Sequence, residues 1–125
     1  MNDERGTMNE KQDLLIRTKS FALQIVRLYS SLPKTTEAQV LGRQVLRSGT
    51  SVGANYREAR RARSTAEFVS KIESGMQELE ETAYWLELLS DAAIIPKSRL
   101  AGLQTEADEL MAILVFSAKT AKRRK

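Results

Sequence analysis

The chain has 125 residues, a length typical of one domain that can bury a sizeable core without disulfide bonds. It contains no cysteine and no histidine, which excludes Ser-His-Asp and Cys-His catalysis, Cys/His zinc sites and Glu-x-x-His di-iron sites. We therefore predict a non-enzymatic protein with no catalytic residue, no metal site and no cofactor. The absence of cysteine is also typical of a reducing cytoplasm.

The net charge of +4 is modest, but the charges are segregated along the chain. Six arginines and a single acidic residue lie between Arg43 and Arg63, whereas ten acidic and three basic residues lie between Ser64 and Glu109. Residues 119–125 are basic again. Two basic zones thus flank an acidic one, a pattern that favours both self-association and binding to a polyanion.

The apolar segments are short compared with those of membrane proteins. The longest uninterrupted apolar run, residues 110–116, is far below the roughly 20 residues that span a bilayer. The polar N-terminus does not resemble a signal peptide. We predict no membrane segment and a cytoplasmic location.

The first half of the chain contains two predicted helices. Residues 1–10 are polar and are predicted to form a disordered arm. Over residues 11–32 apolar side chains recur at alternating steps of four and three, which predicts an amphipathic helix that Pro33 ends. The capping-box pattern Thr36-Glu-Ala-Gln39 then predicts a second helix over residues 37–62.

The second half of the chain contains two more predicted helices. Ser64-Thr-Ala-Glu67 is another capping box and predicts a helix over residues 65–93. Pro96 suits the first turn of a fourth helix over residues 97–121, and residues 123–125 form a basic tail. Four long helices joined by short turns predict an all-α protein, with an antiparallel up-down-up-down four-helix bundle over residues 11–122.

The second predicted helix has two chemically different faces. At about 100° per residue its apolar side chains fall on one side, and opposite them lies a stripe of arginines spanning about 27 Å. The stripe consists of Arg43, Arg47, Arg57 and Arg61, and Arg60 and Arg63 extend the basic region. Like charges four residues apart destabilise a helix, so a compensating partner is expected. Three environments remain open: the phosphate backbone of RNA or DNA, the acidic third helix of a neighbouring subunit, or solvent.

Small residues on the second helix predict close contacts. Gly42, Gly49 and Gly53 lie along one flank, although each costs about 1 kcal/mol relative to alanine in a helix interior. This cost predicts either close approach by a neighbouring helix or a local kink. Asn55 lies on the other flank, where its amide could bond across an interface. We assign these three glycines and Asn55 to an oligomer interface.

The last two turns of the third helix are apolar nearly all round. Tyr84, Trp85 and Leu88 lie outside its core-facing stripe. They are either buried under one end of the bundle or placed at a subunit contact, and aromatic anchors outside a core stripe are typical of subunit contacts. We predict a homo-oligomer that uses this patch.

Three segments resemble one bacterial family: Arg47-Ser-Gly-Thr-Ser-Val-Gly-Ala-Asn-Tyr-Arg-Glu-Ala59, Tyr84-Trp-Leu-Glu-Leu-Leu89 and Phe116-Ser-Ala-Lys-Thr-Ala121. This is the four-helix-bundle family first noticed as reading frames inside intervening sequences of large-subunit (23S) ribosomal RNA genes. The resemblance covers roughly residues 13–122 and implies a homo-oligomer, namely a pentamer shaped as a ring or barrel. A more distant resemblance in architecture, to the accessory variability protein of diversity-generating retroelements, implies binding to nucleic acid and to a reverse transcriptase.

Overall fold

The computed structural model describes the backbone of residues 3–124 and the side chains of residues 14–124. Over this range it contains four α-helices and no strand: α1 (Asp3–Ser30), α2 (Thr36–Arg60), α3 (Thr65–Asp91) and α4 (Lys97–Arg123). The prediction of an all-α four-helix bundle is confirmed. The helices α2, α3 and α4 begin and end within two residues of their predicted bounds.

The start of α1 differs from the prediction. The helix begins at Asp3, so residues 3–10 are helical, whereas the sequence pattern predicts a disordered arm over residues 1–10. The segment contains no proline and several good helix formers, and extending an existing helix is much easier than nucleating a new one. Residues 1, 2 and 125 lie outside the described residues.

Hydroxyl caps begin α2 and α3. Thr35 Oγ1 accepts a hydrogen bond from the Ala38 N–H at 3.3 Å, so the cap of α2 lies one residue earlier than predicted. The backbone of Thr35 is extended, which allows its hydroxyl to reach this N–H group. At the start of α3 the predicted cap is confirmed, because Ser64 Oγ accepts from the Glu67 N–H at 3.0 Å. The Glu67 carboxylate in turn accepts from the Arg63 N–H at 2.9 Å.

Each helix packs on the next in sequence, and α4 contacts α1 over a shorter stretch. One ion-pair cluster joins α1 to α4, where the Arg17 guanidinium donates to Glu106 and to Glu109 at 2.7 Å. The core is mainly aliphatic, with Phe21 and Tyr56 as its buried aromatic members, and burial of each large apolar side chain contributes about 1.5–3 kcal/mol. Its largest fully buried apolar members are Phe21, Ile25, Val45, Val52, Ile72, Leu79, Leu86, Leu89, Leu100, Leu110 and Leu114. Within the described residues none of the helices carries an apolar segment that could cross a bilayer.

Candidate functional site

The C-terminal half of α2 and the turn after it form a basic surface. Five residues, here called the exposed arginines, have exposed side chains: Arg43, Arg57, Arg60, Arg61 and Arg63. Within residues 14–124 none of the five forms an ion pair with a carboxylate. Four of them lie in the last turn of α2 and the residues that follow it, and Arg43 lies near the other end of the helix.

Arg47 differs from the other arginines because α3 neutralises it. Its guanidinium bridges two carboxylates, donating to Glu78 Oε1 at 3.2 Å and to Glu81 Oε1. The Trp85 indole N–H also donates to Glu81, at 3.3 Å. The acidic partner of Arg47 therefore belongs to its own chain, and not to the third helix of a neighbouring subunit, which was one of the predicted environments.

Arg47 reaches α3 because small side chains let the two helices pack closely. Ser48 and Thr82 are fully buried at the contact, and the Thr82 hydroxyl lies within hydrogen-bond distance of the Ser48 hydroxyl, at 2.8 Å. Gly75 of α3 faces Asn55 of α2, where an added Cβ atom would lie 3.6 Å from the Asn55 Cβ. This packing brings the acidic face of α3 within reach of the long Arg47 side chain.

Asn55 is directed towards its own chain. Its side-chain amide donates to the Ser51 carbonyl at 3.0 Å, one turn earlier in α2, and its Cβ faces Gly75. The residue is half-buried against α3. The structure therefore places Asn55 between two helices of one subunit, and its assignment to an oligomer interface stays a prediction.

The glycines of α2 face α1 of the same chain. A Cβ atom added at Gly42, Gly49 or Gly53 would lie only 2.9, 2.8 or 3.2 Å from the nearest side-chain atom of α1, and at Gly42 the Leu32 side chain, just after α1, would be closer still at 2.5 Å. The predicted close approach of a neighbouring helix is confirmed, and α2 is one continuous helix. Because all three glycines are buried in this contact, their surface is already covered within the subunit. Their assignment to an oligomer interface is corrected accordingly.

An apolar patch is exposed near the end of α3. Tyr84 is 52% exposed, and its ring centroid lies 5.2 Å from that of the half-buried Trp85. Leu88 is also half-buried. The antiparallel register of α2 and α3 places Val40, which is 48% exposed, at the level of the last turn of α3. Sequence reasoning missed Val40, although helical periodicity places this large apolar side chain off the core face of α2.

The structure also contains a cavity that the sequence does not predict. It has a volume of about 690 Å³ and lies at the end of the bundle where α2 and α4 end and α3 begins. Its walls are mostly apolar, and two arginines line it. The lining residues are Leu14, Tyr56, Ala59, Arg60, Ala62, Phe68, Ala112, Ile113, Phe116, Ser117, Thr120, Ala121 and Arg124. The signal in the sequence is Phe116, an aromatic residue off the core stripe of α4 and close to the basic C-terminus.

Tyr56 is the most buried polar group of this cavity. Its side chain is 3% exposed, and burial raises the pKa of its hydroxyl above the ordinary value, while the positive charge of Arg60 lowers it in part. The hydroxyl therefore stays protonated to higher pH than a solvated tyrosine.

The basic residues at the end of α4 have different surroundings. Lys122 donates to Glu73 of α3 at 3.0 Å, whereas Arg123 and Arg124 are exposed and form no ion pair within residues 14–124. Lys125 lies outside the described residues. Among the residues that the structure describes, no cluster of side chains could hold a metal ion.

The chain is similar to known proteins in both sequence and fold. The sequence matches the 23S rRNA-intervening sequence protein family over residues 10–115. The fold is similar to the crystal structure of a protein of unknown function from the S23 ribosomal protein family of Bacteroides thetaiotaomicron VPI-5482, with a TM-score of 0.82 and 36% identity. That similarity covers 87% of this chain and 97% of the other. A comparison with curated proteins gives no significant match. The chain therefore belongs to the family of 23S rRNA-intervening sequence proteins.

Proposed function

We propose that this chain forms a non-enzymatic homo-oligomer that binds the backbone of RNA or DNA through the exposed arginines. The observation that carries the proposal is their lack of carboxylate partners within residues 14–124, although the acidic helix α3 packs directly beside α2. A cluster of unpaired guanidinium groups creates a positive potential that attracts phosphates and releases counterions from them.

Guanidinium chemistry defines the expected kind of binding. Arginine donates two parallel hydrogen bonds to phosphate oxygens, and such contacts position a nucleic acid without reading its sequence. We therefore expect little sequence preference and a steep loss of affinity with salt. Because Arg47 is already held by two carboxylates, the set of binding arginines predicted from the sequence falls from six to five.

The central experiment removes the exposed arginines together. We expect replacement of all five by glutamine to abolish retention of RNA and DNA at about 50 mM salt, because no other surface of comparable charge remains on α2. The measurement is fluorescence anisotropy with a labelled duplex and a labelled single strand, each titrated at several salt concentrations.

A matched control removes five positive charges from other faces of the molecule. The residues are Lys19, Arg27, Lys34, Lys97 and Arg99, all exposed and all outside α2. This variant has the same net charge as the first, so a similar loss of binding in both would mean that only net charge matters. That result, or a wild-type protein that binds neither probe at low salt, would contradict the proposal.

The oligomer is proposed to use the patch formed by Val40, Tyr84, Trp85 and Leu88. Tyr84→Glu with Leu88→Glu would place two charges in this contact, so we expect the mass measured by light scattering to fall. Ile16, which is 67% exposed on α1, provides the control: Ile16→Glu adds a charge to an apolar site outside the patch. An unchanged mass for the double variant would exclude the patch from the interface. A pentamer and a reverse-transcriptase partner stay predictions from the resemblance.

The alternative function is a protein-interaction scaffold whose exposed arginines pair with acidic residues of neighbouring subunits. Glu80, Glu87 and Asp91 are exposed and form no ion pair within residues 14–124, so they are among the acids of α3 open to such pairing. Salt distinguishes the two functions. It should release bound nucleic acid from an intact oligomer in the first case and dissociate the oligomer itself in the second.

A further inference from the structure

We propose that the cavity at the end of the bundle receives an unpaired base of a single-stranded nucleic acid, with Phe116 as the stacking surface and Arg60 and Arg124 on the adjoining phosphates. This inference rests on the proposed function and refines it. It names the form of nucleic acid that is bound and a second part of the surface that binds it.

The cavity has the size and chemistry of a ligand site. Its volume of about 690 Å³ lies within the range of about 300–1,000 Å³ that is usual for such sites, and its walls are mainly apolar. Two aromatic rings contribute to the walls, Phe68 from α3 and Phe116 from α4. Phe116 is 65% exposed, so its ring is accessible to a base that approaches the cavity.

The charge around the cavity is complementary to a phosphate chain. Arg60 and Arg124 line the cavity and are exposed, and neither forms an ion pair within residues 14–124. Arg61 and Arg63 follow Arg60 in the chain and belong to the exposed arginines defined above. A strand held by these arginines therefore passes the aromatic rim of the cavity.

Aromatic rings and arginines together distinguish single strands from duplexes. Proteins bind single strands by combining a basic groove with aromatic side chains on which bases stack, and each stacked base contributes substantially to affinity. The bases of a duplex are already stacked and paired, so they cannot enter a cavity without being extruded. The arginine stripe itself contains no aromatic residue, and α3 and α4 supply the rings that α2 lacks.

The test compares Phe116→Ala with wild type on a single-stranded RNA of about a dozen nucleotides and on the same strand paired with its complement. We expect the affinity for the single strand to fall by about 5-fold to 100-fold and the affinity for the duplex to change by less than about twofold. Phe116→Tyr should restore single-strand binding because it keeps the ring. Leu23→Ala removes an exposed apolar side chain that lies outside both the cavity and the proposed oligomer patch, so it serves as the control. The same strand made of DNA tests whether the ribose hydroxyl contributes.

A second measurement separates stacking from charge. Phe116→Ala should leave the salt dependence of single-strand binding unchanged, whereas Arg60→Gln with Arg124→Gln should reduce its slope by about 0.7 for each lost phosphate contact. Photo-crosslinking of a bromouridine-containing strand to full-length protein should label the peptide that contains Phe116.

Two outcomes would overturn the inference. One is unchanged single-strand affinity in Phe116→Ala, and the other is crosslinking confined to α2. If the duplex still binds through the exposed arginines, the proposed function survives that failure. If neither probe binds the wild-type protein, both proposals fail together.

Discussion

Two parts of α2 carry arginines in opposite electrostatic situations. In the middle of the helix Arg47 bridges Glu78 and Glu81, so its positive charge is compensated within the chain. At the end of the helix Arg57, Arg60 and the residues after them project without carboxylate partners within residues 14–124. Arginine thus joins α2 to α3 in the middle of the helix, whereas at the end of the helix it is available to an external anion. The difference arises from α3: Glu78 and Glu81 reach the Arg47 guanidinium, whereas Glu67, which lies beside the end of α2, accepts from the Arg63 backbone N–H and not from a guanidinium.

The largest expected effect contrasts the two regions directly. Replacing Arg57, Arg60 and Arg61 by glutamine should lower the affinity for nucleic acid by at least about 100-fold, because three charge-assisted contacts are lost. Arg47→Gln should lower it by less than about threefold, since that guanidinium is already occupied. Anisotropy titrations at one fixed salt concentration measure both variants. Equal losses in the two variants would remove the distinction between the regions.

The comparison also requires that α2 be held firmly by α1 along its whole length. Gly49→Ala should lower the free energy of unfolding by about 1–3 kcal/mol, because the new methyl group would overlap the branched Ile25 side chain, 2.8 Å away. Gly102→Ala is the matched control, since nothing lies within 4 Å of its added Cβ. It should raise the free energy of unfolding by about 0.5–1 kcal/mol through helix propensity alone. Urea denaturation gives both values, and a neutral Gly49→Ala would show that α1 is held by other contacts.

Releasing Arg47 should convert the paired region into a binding region. In Glu78→Gln with Glu81→Gln the guanidinium loses both carboxylate partners, so we expect nucleic-acid affinity to rise by about 3-fold to 10-fold. The salt slope should become steeper by about one contact. Glu80→Gln with Glu87→Gln makes the same charge change without freeing Arg47. Equal gains in the two double variants would mean that general charge, and not Arg47, is responsible.

The smallest expected effect concerns the ion pair between Lys71 of α3 and Glu58 of α2. The Lys71 ammonium lies 2.7 Å from the Glu58 carboxylate, whose hydrogen bond and charge raise the pKa of Lys71. A raised pKa in the folded state stabilises the protein below the unfolded pKa, and this contribution is lost as the pH rises through the folded value. The melting temperature should therefore fall slightly more above about pH 10.5 in wild type than in Glu58→Gln.

Glu58→Gln also controls for Tyr56. Burial raises the pKa of the Tyr56 hydroxyl, so its ionisation destabilises the folded state in the same alkaline range. The Tyr56 contribution is the same in wild type and in Glu58→Gln. The difference between their melting temperatures therefore reports the ion pair alone. Identical alkaline profiles would show that the pair contributes nothing measurable, as is common for exposed ion pairs.

The local pattern of the sequence was sufficient to predict the fold. The periodicity of apolar residues and the predicted caps, of which Ser64 is confirmed and the one at Thr36 lies one residue too late, define the helices, and short turns leave few ways to connect them. The periodicity does not show which helix packs against each flank of α2. Gly49 and Asn55 were therefore assigned to a second subunit, although they contact α1 and α3 of the same chain.

The candidate site was predicted only in part for the same reason. A helical projection shows where a side chain starts on the helix surface but not how far it extends. The long side chain of Arg47 extends from α2 to carboxylates of α3, and the projection could not show this contact. The cavity combines Arg60, Phe68 and Phe116 from three helices that are distant in sequence, so no local pattern contains it. The exposed arginines were found from sequence because charge segregation is itself a local property.

The unequal flanks of α2 also decide the handedness of the bundle. After α1 and α2 have paired, α3 could pack on either side of them, and the two arrangements would be near mirror images with equally apolar cores. In the opposite arrangement Ile25 of α1 would meet Ser48 and Asn55, whose Cβ atoms would hold the helices apart. Thr82 of α3 would meanwhile face Gly49 and lose its hydroxyl partner on α2. Because its two flanks differ, α2 therefore favours one of two topologies that burial of apolar surface alone cannot distinguish.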